Sequence, residues 1–202
     1  MADNYIERQY EAYQARKAAW EKERKYKKKK PATPAETPHR SGAFLQNQVK
    51  KVVAVHDLSG VGHVSLMAVI PVLSSMGFQV CPLPTAVLSS HTQYPEFSFL
   101  DLTDEMPKII SEWKKLEVQF DAFYTGYLGS PRQIHIVSDF IDDFRRPDGL
   151  VVVDPVLGDN GRLYANFHES MIDEMKHLIT KADVVTPNLT ELFYLLGIPY
   201  KE

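Results

Sequence analysis

Apolar positions in residues 49–202 follow two alternating patterns, short continuous runs typical of buried strands and stretches with the spacing of amphipathic helices. Five strands are predicted, in KVVAVH (51–56), FQVCPLPTAV (78–87), FDAFYTGYLG (120–129), LVVVDP (150–155) and DVVTPN (183–188). Five helices are predicted, in VSLMAVIPVLSSMG (64–77), DEMPKIISEWKKLE (104–117), RQIHIVSDFIDDF (132–144), HESMIDEMKHLITKA (168–182) and LTELFYLLG (189–197). This alternation predicts an α/β domain in three layers, with a mostly parallel sheet flanked by helices.

The N-terminal part of the chain has a different pattern. Residues 1–30 read as one charged appended helix, and residues 31–48 as a Pro-rich linker before the domain at 49–202. Residues 1–40 carry 11 Lys and Arg against 6 Asp and Glu, whereas residues 41–202 carry 12 against 20. An acidic domain argues against nucleic acid as its partner.

Composition limits the domain size, the cellular location and the cross-links that can be expected. The chain has 202 residues, of which 44% are hydrophobic, and this suffices for one domain with a sizeable core. It has no apolar run of about 18 residues and no apolar segment near its start, so neither a membrane partner nor secretion is expected. The single cysteine, Cys81, excludes an internal disulfide. A cytoplasmic location is the expectation.

Polar residues follow every predicted strand. The carboxyl ends of parallel strands joined by right-handed crossovers lie along one sheet edge, where open α/β sheets bind their ligands. The pattern therefore predicts a ligand site there. Its residues are His56, Asp57, Ser59, Gly60 and Gly62 after the first strand, Ser89 to Thr92 after the second, Thr125 to Tyr127 after the third, Asp154 and Asp159 after the fourth, and Thr186, Pro187, Asn188 and Glu191 after the fifth.

The ligand class can be narrowed from the same residues. The SGVG turn lacks the third glycine of a dinucleotide-binding loop, because Ser65 stands there, and the chain has no G-x-x-x-x-G-K-[ST] loop. Asp154, Asp159 and Glu191 could share a hydrated Mg²⁺ with substrate phosphates, which points to phosphoryl transfer. Asn188 and Glu191 also fit a helix capping box, and the two interpretations are compatible.

Several motifs together resemble pyridoxal kinase of the ribokinase superfamily. They are HTQY (91–94), TGYLGS (125–130), DPVLGDNG (154–161), LY (163–164) and ADVVTPNLTE (182–191), and the resemblance extends from Val52 to Leu196. It implies a ribokinase-like fold and ATP-dependent phosphorylation of the hydroxymethyl group of pyridoxal, pyridoxine or pyridoxamine. The opening HDLSGVG has Asp57 where pyridoxal kinases usually carry Ser, and it is similar to the D-x-S-G-x-x-G opening of hydroxymethylpyrimidine kinases. Hydroxymethylpyrimidine (phosphate) kinase is therefore the alternative.

The resemblance also implies roles for single residues. Asp57, Thr92 and Tyr127 would line the vitamin pocket, with the Tyr127 ring packed on the pyridine ring. ATP and Mg²⁺ are the implied cofactors. The residues implied to contact ATP are Asp154, Asp159, Tyr164 and Thr186, and those implied to hold Mg²⁺ through water are Asn188 and Glu191.

The catalytic segment of the family has no counterpart in this sequence. Pyridoxal kinases place a G-x-G-D segment with the general base well after the TPN-x-x-E motif, so the base is expected beyond Glu202. The expectation is an N-terminal portion of a kinase domain, truncated at the C-terminus. A non-catalytic remnant or binding fragment is the alternative of another class. The expected partners are a B6 vitamer and ATP, and a homodimer is left open.

Overall fold

The computed structural model describes residues 49–164 and 167–200, together with Ala18 and Lys22, which are both helical. The chain divides into two units, Met1–Asn47 and Gln48–Glu202. Apart from those two positions, the expected charged helix over 1–30 and the linker over 31–48 lie outside the described residues. All that follows concerns the second unit.

A six-stranded sheet forms the centre of this unit, in the order β3-β2-β1-β4-β5-β8. Five strands are parallel: β1 (Lys51–Ser59), β2 (Gln79–Leu88), β4 (Phe120–Thr125), β5 (Arg145–Val153) and β8 (Val184–Val185). The edge strand β3 (Phe99–Asp101) is antiparallel to β2. The expected mostly parallel sheet is confirmed.

Helices follow the parallel strands at the expected places. They are α1 (Leu66–Ser75), α2 (Met106–Lys115), α3 (Pro131–Phe144), α4 (Glu169–Ile179) and α5 (Leu189–Leu196). A small antiparallel hairpin of β6 (Gly158–Asp159) and β7 (Arg162–Leu163) lies between β5 and α4. None of the described helices has the length and apolar content needed to span a bilayer.

The two faces of the sheet are covered unequally. On one face, inward residues of the central strands such as Val55, Phe123 and Val153 pack with α2, α3 and α4 in the main core. Aromatic rings fill its centre, and the Phe140 ring lies 4.8 Å from that of Phe144. On the other face, α1 buries Leu66 and Val69 against Ala54 and the neighbouring strand residues. Side chains alternate along a strand. On β4, β5 and β8, the residues that do not point into the main core therefore lie on the same face of the sheet as α1.

Candidate functional site

The carboxyl ends of the five parallel strands form the edge where polar residues were predicted. The loop after β1 is tied to the end of β2, because Gly60 N–H donates to Leu88 O at 2.8 Å and Val61 N–H donates to Ser89 O at 3.0 Å. His91 N–H closes this link by donating to Val61 O at 3.0 Å. The first two strand ends therefore form one continuous wall of the candidate site.

Asp57 is the buried carboxylate of this wall. Its side chain accepts a hydrogen bond from Ser59 Oγ at 3.0 Å and another from Ser65 Oγ at 2.5 Å. Only 7% of the residue is exposed. A buried carboxylate needs such partners, because burying an unpaired charge is costly.

Thr92 lies in the neighbouring loop and is exposed. The loop is held close to Gly62, where a Cβ atom would come within 2.6 Å of the His91 ring and where the backbone has a φ of 124°. Both features require glycine at this position. Gly62 thereby lets the loop that carries Thr92 approach the one that carries Asp57.

Tyr127 projects from the loop after β4 and is half-buried. Its ring stacks on that of Phe167 with centroids 5.9 Å apart and planes inclined by 13°. Burial, followed by the nearby carboxylates of Asp57 and Asp101, raises the pKa of the Tyr127 phenol. Tyr127 and Asp57 thus lie near each other, although they come from different loops. One face of the ring predicted to pack on a pyridine is occupied by Phe167.

A buried glutamine supports the Tyr127 loop. Gln133 on α3 is 1% exposed, and its amide oxygen accepts from Gly129 N–H at 2.8 Å. Its amide nitrogen donates to Thr85 O at 3.0 Å and to Thr103 Oγ1 at 2.8 Å. Sequence reasoning did not single out Gln133. The available signal was a polar residue on the helix face that also carries buried Ile134 and Val137.

The acidic half of the site lies at the ends of β5 and β8. Burial, and secondarily the carboxylate of Glu191, raises the pKa of Asp154 from 3.8 to about 6. Burial also raises the pKa of Tyr164, with further contributions from Glu191, Asp159 and Asp154 in that order. These four side chains are therefore close enough to interact electrostatically. Thr186 lies exposed at the end of β8, and its N–H donates to Val153 O at 3.0 Å.

Asn188 and Glu191 form the predicted capping box at the start of α5. Asn188 Oδ1 accepts from Glu191 N–H at 2.9 Å, and Glu191 Oε2 accepts from Asn188 N–H at 2.9 Å. Glu191 Oε1 accepts from Leu157 N–H at 3.0 Å, while Asn188 Nδ2 donates to Gly158 O at 2.9 Å. The pair therefore joins α5 to the segment that carries Asp154 and Asp159.

A metal ion held directly by protein side chains does not fit these residues. No cluster of three or more His, Cys, Asp or Glu side chains suited to a metal ion occurs within 49–164 and 167–200. Both oxygens of Glu191 already accept hydrogen bonds. A hydrated Mg²⁺ fits better, because it needs only one or two carboxylates besides water and phosphates. The mutual repulsion of Asp154 and Glu191 would also be relieved by a cation.

Comparison with known proteins identifies the family. The family model described as phosphomethylpyrimidine kinase matches residues 72–202. The chain belongs to the phosphomethylpyrimidine kinase family. Among members with curated names, pyridoxal kinase of Dictyostelium discoideum is 30% identical over 157 residues, which cover 75% of this chain and 51% of that protein. Pyridoxal kinase PdxY of Photobacterium profundum is 33% identical over 142 residues, which cover 65% and 47% respectively.

Solved structures of family members agree with this assignment. A Bacteroides thetaiotaomicron protein provisionally named phosphomethylpyrimidine kinase, in a crystal form with pyridoxal, is 82% identical, with a TM-score of 0.74 over 76% of this chain and 54% of that one. Pyridoxal kinase from Lactobacillus plantarum is 37% identical, with a TM-score of 0.73 over 76% and 55%. The resemblance to pyridoxal kinases and the ribokinase-like fold are thus confirmed. The chain spans about half the length of the curated relatives it matches.

Proposed function

We propose that this protein is an ATP-dependent kinase that phosphorylates the hydroxymethyl group of pyridoxal, pyridoxine or pyridoxamine. The observation that carries the proposal is the 82% identity to a Bacteroides protein crystallised with pyridoxal. The ADP complexes of Leishmania donovani pyridoxal kinase, which is 27% identical to this chain, support a nucleotide as the second ligand.

The proposed vitamin pocket lies between the ends of β1, β2 and β4. Asp57 would accept a hydrogen bond from the vitamer, and Thr92 would bond to another polar substituent. The free face of the Tyr127 ring would pack on the pyridine, since its opposite face stacks on Phe167. These contacts would orient the substrate, which is most of what a phosphotransferase has to do before transfer.

The proposed ATP site lies at the ends of β5 and β8. Asp154, Asp159, Tyr164 and Thr186 would face the phosphates. Asn188 and Glu191 would hold Mg²⁺ through water, and the bound metal would neutralise charge on the phosphate oxygens. Asp154 and Glu191 would otherwise repel the phosphates, so metal and nucleotide are expected to bind together.

The alternative, hydroxymethylpyrimidine (phosphate) kinase, has its own support in the name of the matching family model and in the Asp57 opening. Binding by calorimetry and turnover by mass spectrometry, with each B6 vitamer and with hydroxymethylpyrimidine in the presence of MgATP, separates the two. We expect the chain to bind pyridoxal, and the Asp57→Ala variant to bind it at least about tenfold more weakly, a loss of about 1.4 kcal/mol.

The control is Thr180→Ala, because Thr180 is exposed and, among the described residues, its hydroxyl donates to His177 O at the end of α4. This variant should bind pyridoxal like the unchanged chain. Binding and turnover of hydroxymethylpyrimidine without any of a B6 vitamer would reverse the choice between the two kinases. Light scattering in the same buffer distinguishes a monomer of 23.0 kDa from a homodimer of twice that mass.

A further inference from the structure

Ser65 has a backbone conformation that a serine rarely adopts. Its φ of 50° lies in the left-handed region and its ψ is −133°. Glycine is favoured at such positions because it has no Cβ atom, and strained residues of this kind cluster at functional sites. The sequence has serine here although it is the position where a dinucleotide-binding loop would carry glycine.

The Ser65 side chain does not cap the helix that it precedes. Ser65 immediately precedes α1, where a serine hydroxyl commonly accepts a hydrogen bond from the first turn of the helix. No such side-chain bond is present at this helix start. The Ser65 hydroxyl instead donates to Asp57 Oδ1 at 2.5 Å, eight residues back along the chain.

The Ser65 main chain, by contrast, is held firmly by the helix. Its carbonyl oxygen accepts from Ala68 N–H at 3.0 Å and from Val69 N–H at 2.9 Å. Leu66 and Val69 of that turn are buried against the sheet. The backbone of Ser65 is therefore fixed by the helix while its hydroxyl donates to Asp57.

Asp57 receives a second hydroxyl at its other oxygen, from Ser59 at 3.0 Å. A carboxylate can only accept hydrogen bonds, so both serine protons must point at it. With each oxygen held by one donor, the carboxylate plane is fixed. The lone pairs that are left are available to a further donor, such as one on a ligand.

We propose that Ser65 is a positioning residue that, together with Ser59, orients Asp57 toward a hydrogen-bond donor of the substrate. This inference rests on the proposed function and deepens it. In the proposed substrate, that donor would be the ring N–H or the ring hydroxyl of the nitrogen heterocycle. Strain at Ser65 is retained because glycine, which would relieve it, has no hydroxyl to offer Asp57.

Calorimetric titration of the full chain with pyridoxine, 1-methylpyridoxinium and 3-deoxypyridoxine tests the proposal. The methyl derivative lacks the ring N–H, and the deoxy derivative lacks the ring hydroxyl. For the unchanged chain, at least one analogue should bind about tenfold or more weakly than pyridoxine. In Ser65→Gly and Ser65→Ala, pyridoxine itself should lose about tenfold while that analogue loses little, so the selectivity ratio falls toward one.

Ser74→Ala is the matched control, because Ser74 is an exposed serine at the other end of α1, and its binding profile should be unchanged. Denaturant unfolding adds a readout without ligand. Ser65→Gly should be more stable than Ser65→Ala, since only glycine relieves the left-handed φ while both variants lose the hydroxyl.

Three results would overturn the proposal. The first is that pyridoxine binds equally well with and without the Ser65 hydroxyl. The second is that the affinity for all three compounds falls by the same factor, which would indicate a merely structural role. Equal stability of the glycine and alanine variants would show that Ser65 is not strained. An unchanged chain that binds no vitamer would instead overturn the proposed function, and the role of Ser65 with it.

Discussion

At the scale of single residues, His56 shows what the site edge requires of its side chains. It is 4% exposed, its ring lies 4.7 Å from that of Tyr124, and its Nε2 atom has no hydrogen-bond partner within the described residues. A Cβ atom at Gly126 would lie only 2.1 Å from His56 Nδ1, so glycine is needed there to admit the ring. Desolvation by burial lowers the pKa of His56 from 6.5 to about 4. The imidazole is therefore neutral in the folded protein at neutral pH.

This depressed pKa predicts a loss of stability in mild acid. Because the unfolded chain binds the His56 proton near pH 6.5 and the folded chain only near pH 4, stability should fall as pH drops through that window and the loss should level off below it. Between pH 6.5 and 5 the His56 contribution is about 1.5 kcal/mol. The free energy of unfolding, measured with urea at several pH values, should depend less steeply on pH for His56→Gln than for the unchanged chain.

The control for this experiment is His135→Gln, because the His135 side chain is 58% exposed and its ion pair within the described residues is with Glu174, at 3.3 Å. The free energy of unfolding of this variant should change with pH as it does for the unchanged chain. An identical slope for His56→Gln would mean that His56 titrates normally in the fold, and the burial argument would be wrong.

At the scale of elements, the sequence predicted what local patterns determine and missed what distant partners determine. The capping box of Asn188 and Glu191 is a four-residue pattern, and the structure has it. The strand Phe99–Asp101 was not predicted, because three residues carry no period and pairing with β2 alone makes them a strand. The hydrogen bond from Ser65 to Asp57 was not predicted either, because it depends on the path of the intervening loop in the folded chain.

Strand and helix ends also differ from the predicted ones. Strand β5 begins at Arg145, directly after α3, whereas the apolar run begins only at Leu150. The extra residues are polar or small, and Arg145 is held there by Asp183, whose two carboxylate oxygens lie 2.9 Å from Arg145 Nη2. Strand β8 is shorter than predicted, because Pro187 has no N–H to continue the ladder.

The start of α5 gives a prediction at this scale. Glu191 is 3% exposed, and its two oxygens accept from the N–H groups of Leu157 and Asn188. In Glu191→Gln the amide has one acceptor oxygen, so one of these N–H groups faces an NH₂ group and loses its partner, at a cost of about 1–3 kcal/mol. Asn188→Ala should cost about 1 kcal/mol through the lost cap. Chemical denaturation of both variants measures the two losses.

Glu169→Gln is the comparison for Glu191→Gln, because Glu169 is an exposed acid in the first turn of α4. It should change the free energy of unfolding by less than about 0.5 kcal/mol. If Glu191→Gln were equally harmless, Glu191 would not join α5 to the β5 loop, and its buried carboxylate would be free for another role.

At the scale of the whole unit, the second face of the sheet is only partly covered by described residues. The register pairs Ala122 with Leu150 and Val152 with Val184, so these side chains share the face on which α1 packs. Leu150 is 45% exposed and Val184 is 44% exposed. Exposed apolar side chains on a sheet face are expected to bind apolar dyes.

Dye binding is expected to depend on the exposed apolar residues of this face. Leu150→Thr and Val184→Thr together should lower the fluorescence of 8-anilinonaphthalene-1-sulfonate with the folded chain, while leaving the free energy of unfolding within about 1 kcal/mol. Leu116→Thr is the control, since Leu116 is 71% exposed but lies at the end of α2 on the opposite face. Unchanged fluorescence in the double variant would assign the dye to another surface.

The boundary between the charged N-terminal part and the domain near residue 48 gives the last prediction. Residues 1–40 hold an excess of positive charge and residues 41–202 an excess of negative charge, but attraction across a linker is screened within about 8 Å at physiological salt. The matched family model covers residues 72–202, and the core formed by the described residues also lies after that boundary. Deleting residues 1–40 should therefore shift the thermal midpoint by less than about 2 °C, which corresponds to under about 1 kcal/mol, and leave pyridoxal binding unchanged. A larger shift, or weaker binding, would make the N-terminal part a component of the fold or of the site.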